Sequence, residues 1–278
     1  MLFLSKAFRK REAFLCAYLF QEAGAGILNS YYFAQKNTMN LPLFYVSDVA
    51  AGQPTIVLDE DTSKHVVNVL RMKKGEQLHI TNGKGFLLLT EITDDHKKRC
   101  TVKVLNEEFI QQPNRKTSIA ISLLKNANRF EWFLEKATEL GIAEIIPMIC
   151  DRTEKQHFRY DRMQGILVSA MLQSQQAWLP VLHQPVGFGQ LLKQEDVIDV
   201  TQKFIAHCIP ASKQNLSELV NESLPSQIIL IGPEGDFTKE EITFATDHYF
   251  IPVSLGNTRL RSETAGVAAA VVLTMGSR

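Results

Sequence analysis

At 278 residues with 45% hydrophobic content, the chain holds enough apolar material for two ordinary domain cores and lacks the composition of a disordered protein. Thirty Lys and Arg balance thirty Asp and Glu. That balance excludes a global basic field of the kind that draws a protein to nucleic acid, but leaves room for a local basic patch. Cys16, Cys100, Cys150 and Cys208 form no CxxC pair and have no His at finger spacing. They predict free thiols in a reducing, cytoplasmic compartment, with no metal site.

The first 38 residues run from basic ("KAFRKRE") through apolar ("AFLCAYLF") to small ("AGAGILNS"). The apolar run is far short of the ~20 residues a membrane-spanning helix needs. Glu12 and Glu22, with no clear cleavage signal, argue against a targeting peptide. Residues 1–38 are therefore expected to be an upstream extension, such as a mis-called start would add, with the folded chain opening at Met39.

From Leu43 to Ile110, short runs such as "QLHIT" and "TVKVL" alternate with period two, and Gly75, Gly83 and Gly85 stand at the corners. This pattern predicts a small antiparallel β-barrel over residues 39–112. One helix, "TSKHVVNVLRM", interrupts it, with Asp61 or Thr62 as the expected N-cap. Pro113 and Asn114 mark a linker.

After Arg115 the pattern changes. "SIAISLLK" reads as a buried strand, and "NRFEWFLEKATELG" as a helix with Phe130, Phe133, Leu134 and Ala137 on one face and Gly141 as its stop. Further strands are expected at "IAEIIPMIC", "FIAHCI", "SQIILIG" and "PVSLG", with helices over 161–178, in "TKEEITFATDHY" and in the final alanine-rich run. Residues 115–278 thus read as an α/β domain with a mainly parallel sheet, whose ligand should lie beyond the carboxyl ends of the strands.

Two loops carry the chemistry. In "LIGPEGDFTKEEI", Gly232 and Gly235 flank Pro233 and Glu234 at a strand end, and Thr238 with Glu241 forms a capping box. The loop is neither GxxxxGK[ST] nor GxGxxG, and a carboxylate at its centre would repel phosphate. It suits a cationic or hydrogen-bonding ligand. In "SLGNTRLRSETAGVAAA", Arg261 and Glu263 stand where the chain enters a helix of small apolar residues, a costly place for charge unless it is paired or used. Two such loops at adjacent strand ends form a pocket. An internal Arg261–Glu263 salt bridge would explain the charges without function.

"IGPEGDFTKEEI", "SLGNTRLRSETA" and "LLKNANRFEWFLEKATELGIAEIIPM" together resemble the RsmE family of small-subunit ribosomal RNA uridine methyltransferases, in the SPOUT superfamily. "HVVNVLRMKKGEQLHITNGKG" is similar to that family's PUA-like RNA-binding barrel. The resemblance runs from about Met39 to the end. It implies a C-terminal α/β trefoil knot, a homodimer, and S-adenosylmethionine held in the knot loops. Position by position, it implies cofactor contacts at Ile231, Gly232, Glu234 and Gly235 in one loop and at Leu255, Gly256, Leu260, Thr264 and Ala265 in the other.

The implied reaction methylates N3 of a uridine in small-subunit ribosomal RNA, with the assembled 30S subunit as substrate. That nitrogen must lose a proton to become nucleophilic. Arg261 is assigned to stabilise charge on a uracil oxygen, and Glu263 either to orient Arg261 or to accept the proton. Arg71, Lys73 and Lys74, with Lys84 on the next hairpin, are the candidate RNA-phosphate contacts. An RNA-binding module without catalysis, or methylation of transfer RNA, are the competing readings.

The chain departs from the family pattern at three places. Asp236 stands where a second glycine is usual, and Asn257, Thr258 and Arg259 replace Pro-Arg-Ile. A Glu-Gln-Ser motif followed by Arg appears as Leu172, Gln173, Ser174, Gln175 and Gln176, leaving Gln173 and Ser174 as candidates there.

Overall fold

The computed structural model describes residues 41–154, 157–210 and 213–275. The expected extension, 1–38, lies outside the described residues.

The N-terminal part is a five-stranded sheet in the order β1-β3-β4-β5-β2. Its strands are β1 (Leu43–Tyr45), β2 (Thr55–Val57), β3 (Gln77–Thr81), β4 (Phe86–Asp94) and β5 (Thr101–Phe109). The pairing is antiparallel except that β1 and β3 run parallel. Alternation turns Leu78, Ile80, Leu88, Ile92 and Val102 inward against Phe44, Ile56, Leu58, Val66 and Val67. Among the described strands β1 and β2 are open edges, so the expected barrel is a half-barrel, curved by register shifts at Leu89/Thr90 and Ile92/Asp94.

The interrupting helix begins earlier than expected. Asp59, not Asp61 or Thr62, caps α1 (Glu60–Lys64), its Oδ1 accepting from the N–H groups of Asp61 and Thr62 at 2.9 Å each. A π-helical turn over His65–Val69 follows, setting the His65 ring edge-on to Phe44.

The C-terminal part is an eight-stranded, all-parallel sheet among the described residues. In chain order it comprises β6 (Lys116–Ser122), α2 (Ala127–Glu139), β7 (Glu144–Ile149), α3 (Tyr160–Gln173), β8 (Val181–Leu182) and β9 (Val186–Gly187). The short helices α4 (Phe188–Leu191) and α5 (Glu195–Ile198) come next, then β10 (Gln202–Ala206), β11 (Gln214–Asn215) and α6 (Leu216–Leu219). The chain closes with β12 (Ser226–Ile231), α7 (Lys239–Asp247), β13 (Ile251–Ser254) and α8 (Ser262–Met275).

The strand order is β11-β13-β10-β12-β6-β7-β8, with β9 also on β7. Both faces are covered, which is why β6 and β12 carry apolar residues at successive positions, 119–121 and 228–231. Ile119, Ile121, Ile229 and Ile231 face α2, α3 and α8, while Ala120, Ile228 and Leu230 face Phe188, Phe237, Ala245 and Phe250. From β12 the chain passes outward beyond β10 to β13, then returns to lay α8 on β6, β12 and α2. The knot implied by the resemblance depends on this return.

The two sheets meet through residues 177–179. Gly85 N–H donates to Ala177 O and Leu179 N–H to Gly83 O, both at 2.9 Å, and Trp178 Nε1 donates to Ile110 O at 2.8 Å. Gly85 is required here twice over: its φ is +92°, and a Cβ would stand 2.5 Å from the Trp178 ring. The expected helix over 161–178 accordingly stops at Gln173, and the chain after it makes the contact with the half-barrel.

Candidate active site

Three strand ends converge where the chain turns back from β13 to α8. A cavity of about 290 Å³ is lined by Ala206 and Cys208 after β10, by the Ile231–Glu234 loop and Asp236 after β12, and by Arg259, Leu260, Arg261, Ser262 and Ala265 at the entry to α8. It lies beyond the carboxyl ends of parallel strands, where ligands of such sheets bind. A larger groove of about 780 Å³ runs between the two sheets. That groove borders the amino ends of β6 and β7 and contains none of the loop residues with ligand-binding chemistry, so the smaller cavity is the candidate site.

The β12 loop is built for close approach. Ile231, Gly232 and Pro233 are buried, and Asp236 N–H donates back to Pro233 O at 3.0 Å, closing a tight turn. A Cβ on Gly232 would lie 3.1 Å from the ring of Phe237, a fully buried side chain packed on Phe188, so a side chain there needs the ring or the loop to give by a few tenths of an ångström. Glu234 is exposed and its Oε1 accepts from Lys125 N–H at 3.1 Å. Thr238 and Glu241 form the expected capping box, and Glu241 Oε1 also accepts from Asp151 N–H at 2.9 Å.

Of the residues assigned from sequence, Ile231, Gly232, Glu234, Leu260, Arg261 and Ala265 line the cavity. Gly235 lies just outside, its carbonyl taken by Arg152 Nη1 at 2.7 Å. Leu255 and Gly256 form the turn after β13, where Gly256 has φ +126° and bonds Ser254 Oγ. Thr264 is exposed on the first turn of α8, away from the lining.

Glu263 stands apart from the cavity lining. It is buried, its Oε1 lies 3.6 Å from Arg129 Nε of α2, and it does not line the cavity. Its ion-pair partner among the described residues is Arg129, and its carboxylate lies on the helix face turned toward α2. Arg261 is exposed at the cavity wall.

Sequence reasoning missed Cys208, Asp236, Ser262 and Arg152 as parts of the site. Arg152 bonds two carbonyls of the β12 loop, Gly235 O at 2.7 Å and Phe237 O at 3.4 Å, from the end of β7. Behind the cavity, Lys213 Nζ donates to the carbonyls of His207 and Ile209 and braces the loop after β10. Burial lowers the pKa of both Lys213 and His207, and the neighbouring Lys213 charge lowers that of His207 further.

The alternative motif from Leu172 to Gln176 does not reach the cavity. Ser174 Oγ bonds Ala170 O, and Gln176 Nε2 caps α2 at Thr138 O and Glu139 O, both beside the interdomain groove, while Gln173 is exposed. The basic candidates also separate. Arg71, Lys73 and Lys74 lie at one end of β3, with Lys73 Nζ 3.7 Å from Asp95, while Lys84 lies at the other end against Trp178. The strand alone spans roughly 14 Å between them at ~3.4 Å per residue.

The family described as "RNA methyltransferase domain" matches residues 111–274, and "RNA methyltransferase PUA domain" matches residues 58–105. The chain belongs to the RsmE family of ribosomal RNA methyltransferases. It is 29% identical to ribosomal RNA small subunit methyltransferase E of Synechocystis over 246 residues, covering 84% of this chain and 78% of the relative. Among solved structures, a probable rRNA-methyltransferase from Porphyromonas gingivalis is 33% identical with a TM-score of 0.77, covering 86% of this chain and 100% of that one. The Neisseria gonorrhoeae ribosomal RNA small subunit methyltransferase E, solved bound to S-adenosyl methionine, is 27% identical with a TM-score of 0.75, covering 84% and 97%. As in other members of the RsmE family, a PUA-like half-barrel thus precedes a SPOUT α/β sheet in this chain. Among the described residues no helix is long and apolar enough to cross a membrane, and no group of three or more His, Cys, Asp or Glu is placed to hold a metal.

Proposed function

We propose that this chain transfers a methyl group from S-adenosylmethionine to N3 of a uridine in small-subunit ribosomal RNA, acting in the cytoplasm as a homodimer on the assembled 30S subunit. The observation that carries the reading is the cavity where the loops after β10 and β12 meet the entry to α8. Its chemistry fits the methyl donor. Buried backbone at Ile231–Pro233 and apolar surface from Ala206, Leu260 and Ala265 suit a flat ring system, while Glu234 and Asp236 beside Arg259 and Arg261 suit a ligand that carries both charges, as the sulfonium, amine and carboxylate of the methyl donor do.

The sulfonium, when bound, supplies an electrophilic methyl. The protein's share is alignment and charge. The β12 loop, held by Arg152 and Lys125, and the first turn of α8, held by Arg129 through Glu263, fix the two walls between which the reacting groups meet. Holding reactants in line can lower the barrier by roughly 7 kcal/mol or more. Arg261, exposed on the wall, would donate to a uracil oxygen as the N3 proton passes to solvent water, so that negative charge on the ring is stabilised.

The dimer reading is supported by α8. Its inner face is buried, yet Ala268, Val271 and Met275 continue an apolar stripe on the outer face at helical spacing, partly or fully exposed in the single chain. Light scattering should give twice the chain mass, and Val271→Glu should give the monomer; a monomeric wild type removes the dimer from the proposal.

The test of function is titration calorimetry with S-adenosylmethionine together with methylation of 30S subunits and protein-free 16S RNA, followed by nucleoside mass analysis. Arg261→Ala should retain cofactor affinity and lose turnover. Loss of both would reassign Arg261 to the cofactor pocket, and absence of N3-methyluridine with either RNA from wild type would refute the activity.

A further inference from the structure

Asp236 occupies a backbone position that favours glycine, with φ +64°. Asp tolerates the left-handed region better than most side chains, but it still costs something that Gly would not. Here the side chain offsets that cost by joining two loops. Oδ1 accepts from the N–H of Phe237 at 2.9 Å, fixing the turn locally. Oδ2 accepts from the N–H of Cys208 at 2.8 Å, across from the loop after β10. Cys208 and Asp236 both line the cavity, so the second bond ties one wall to the other.

We propose that Asp236 is a positioning residue, a clamp that fixes the separation of the β10 and β12 loops and so pre-forms the cavity for its ligand. The ligand's identity rests on the proposed methyltransferase activity; the clamp itself does not. Among the described residues the loop after β10 is also braced by Lys213, whose Nζ donates to the carbonyls of His207 and Ile209; both acceptors lie in that same loop, so these bonds hold its own shape and do not join it to the β12 loop. A charge-assisted bond from carboxylate to backbone N–H is among the stronger local restraints, and pre-forming a pocket raises affinity by removing the ordering cost at binding.

Two variants and one probe separate the possibilities. Asp236→Gly keeps the backbone conformation and removes the clamp, whereas Asp236→Asn keeps an acceptor oxygen and removes the charge. The probe is the Cys208 thiol, which is exposed while Cys100 and Cys150 are buried, so its alkylation by iodoacetamide, followed at the Cys208 peptide by mass spectrometry, reports opening of the loop without any ligand. The expected result for Asp236→Gly is faster alkylation and about five- to tenfold weaker S-adenosylmethionine binding, with both partly restored by Asp236→Asn, whose single amide oxygen can accept from the Cys208 N–H but not from the Phe237 N–H as well.

Unchanged alkylation and affinity in Asp236→Gly overturn the proposal. Alkylation of Asp236→Asn no slower than that of Asp236→Gly overturns it as well, because an acceptor oxygen facing the Cys208 N–H then does not set the gap. Hydrogen exchange in the wild type gives a check independent of any variant: the Cys208 amide should be protected, and free exchange refutes the clamp. If wild type binds no S-adenosylmethionine but the alkylation contrast holds, the clamp stands and the methyl-donor reading falls.

Discussion

Gly266→Ala sets two known effects against each other on α8. In an exposed helix interior the change would stabilise by ~1 kcal/mol, because Ala loses less backbone entropy than Gly. At this site the added Cβ would lie 2.6 and 2.7 Å from two ring carbons of Phe133 and 3.2 Å from Ile121 Cδ1. Carbon pairs settle at about 3.5–4.0 Å, so the ring or the helix must move by roughly an ångström. Phe133 is fully buried and Ile121 is too, which leaves the ring no open side. Overpacking of this kind costs typically 1–3 kcal/mol, and a contact this short belongs at the upper end. The net expectation is destabilisation by about 1–2 kcal/mol, or a Tm lower by roughly 2–8 °C for a domain of this size. Because Ala265 beside it and Ser262 one turn before it line the cavity, S-adenosylmethionine affinity should fall together with stability. Denaturant melts of Gly266→Ala, Phe133→Leu and the double variant measure the clash directly, since relieving the ring should recover part of the loss. A Gly266→Ala protein more stable than wild type by about 1 kcal/mol would show that the helix does not pack this closely.

Acid should weaken the protein through Glu144. Burial alone would raise its pKa, but hydrogen bonds from His183, Ser118 and Lys116, with the Lys116 charge, outweigh burial and bring it down to about 2 from 4.5. A carboxylate depressed on folding adds stability above its unfolded pKa and loses it as pH falls from about 4.5 toward 2, in total roughly 3 kcal/mol. Wild type should therefore be more stable than Glu144→Gln at pH 7, with the gap closing below pH ~4.5; a gap that stays constant down to pH 3 would contradict the assignment. At the half-barrel, Lys73→Glu with Lys74→Glu should weaken ribosomal RNA binding and flatten its salt dependence, by ~0.7–0.9 in log–log slope for each phosphate that the variant no longer neutralises. Unchanged binding would move the RNA face away from this end of β3.

What was legible in the sequence had a local or periodic signature. The alternation of strands and helices after Arg115 needs only apolar runs of the right length, and Phe130, Phe133, Leu134 and Ala137 all fall in the core as their spacing predicts. The capping box at Thr238 and Glu241 joins residues three apart. The errors are of another kind. Asp59, Asp61 and Thr62 are all capable N-caps within four residues, and only the backbone angle at Asp59 selects it. β8, β9 and β11 are two residues each, too short to show any period. Arg152 reaches a loop more than 80 positions away, and the partner of Glu263 lies on α2, so no spacing within "RLRSETA" could show that Glu263 turns toward Arg129 while Arg259 and Arg261 both line the cavity.

The charges at the start of α8 and the small residues along it have one explanation. Gly266 lets the helix approach Phe133 of α2 closely, and Ala269 and Ala270 continue that buried face. Such an approach fixes the distance of the helix from α2 but leaves it free to slide along its axis. The ends remove that freedom. At the start, buried Glu263 meets Arg129, and at the far end Arg115 Nη2 and Gln227 Nε2 donate to Leu273 O at 2.9 and 2.8 Å. Arg115 precedes β6, and Gln227 sits in β12, whose carboxyl end opens into the cavity. The helix is therefore held against the same strand that carries the Gly232 loop, and the two walls of the site keep a common reference. Removing a partner at the far end, as in Gln227→Leu, should lower cofactor affinity in a calorimetric titration although Gln227 does not line the cavity, because the start of α8 would shift along its axis relative to β12.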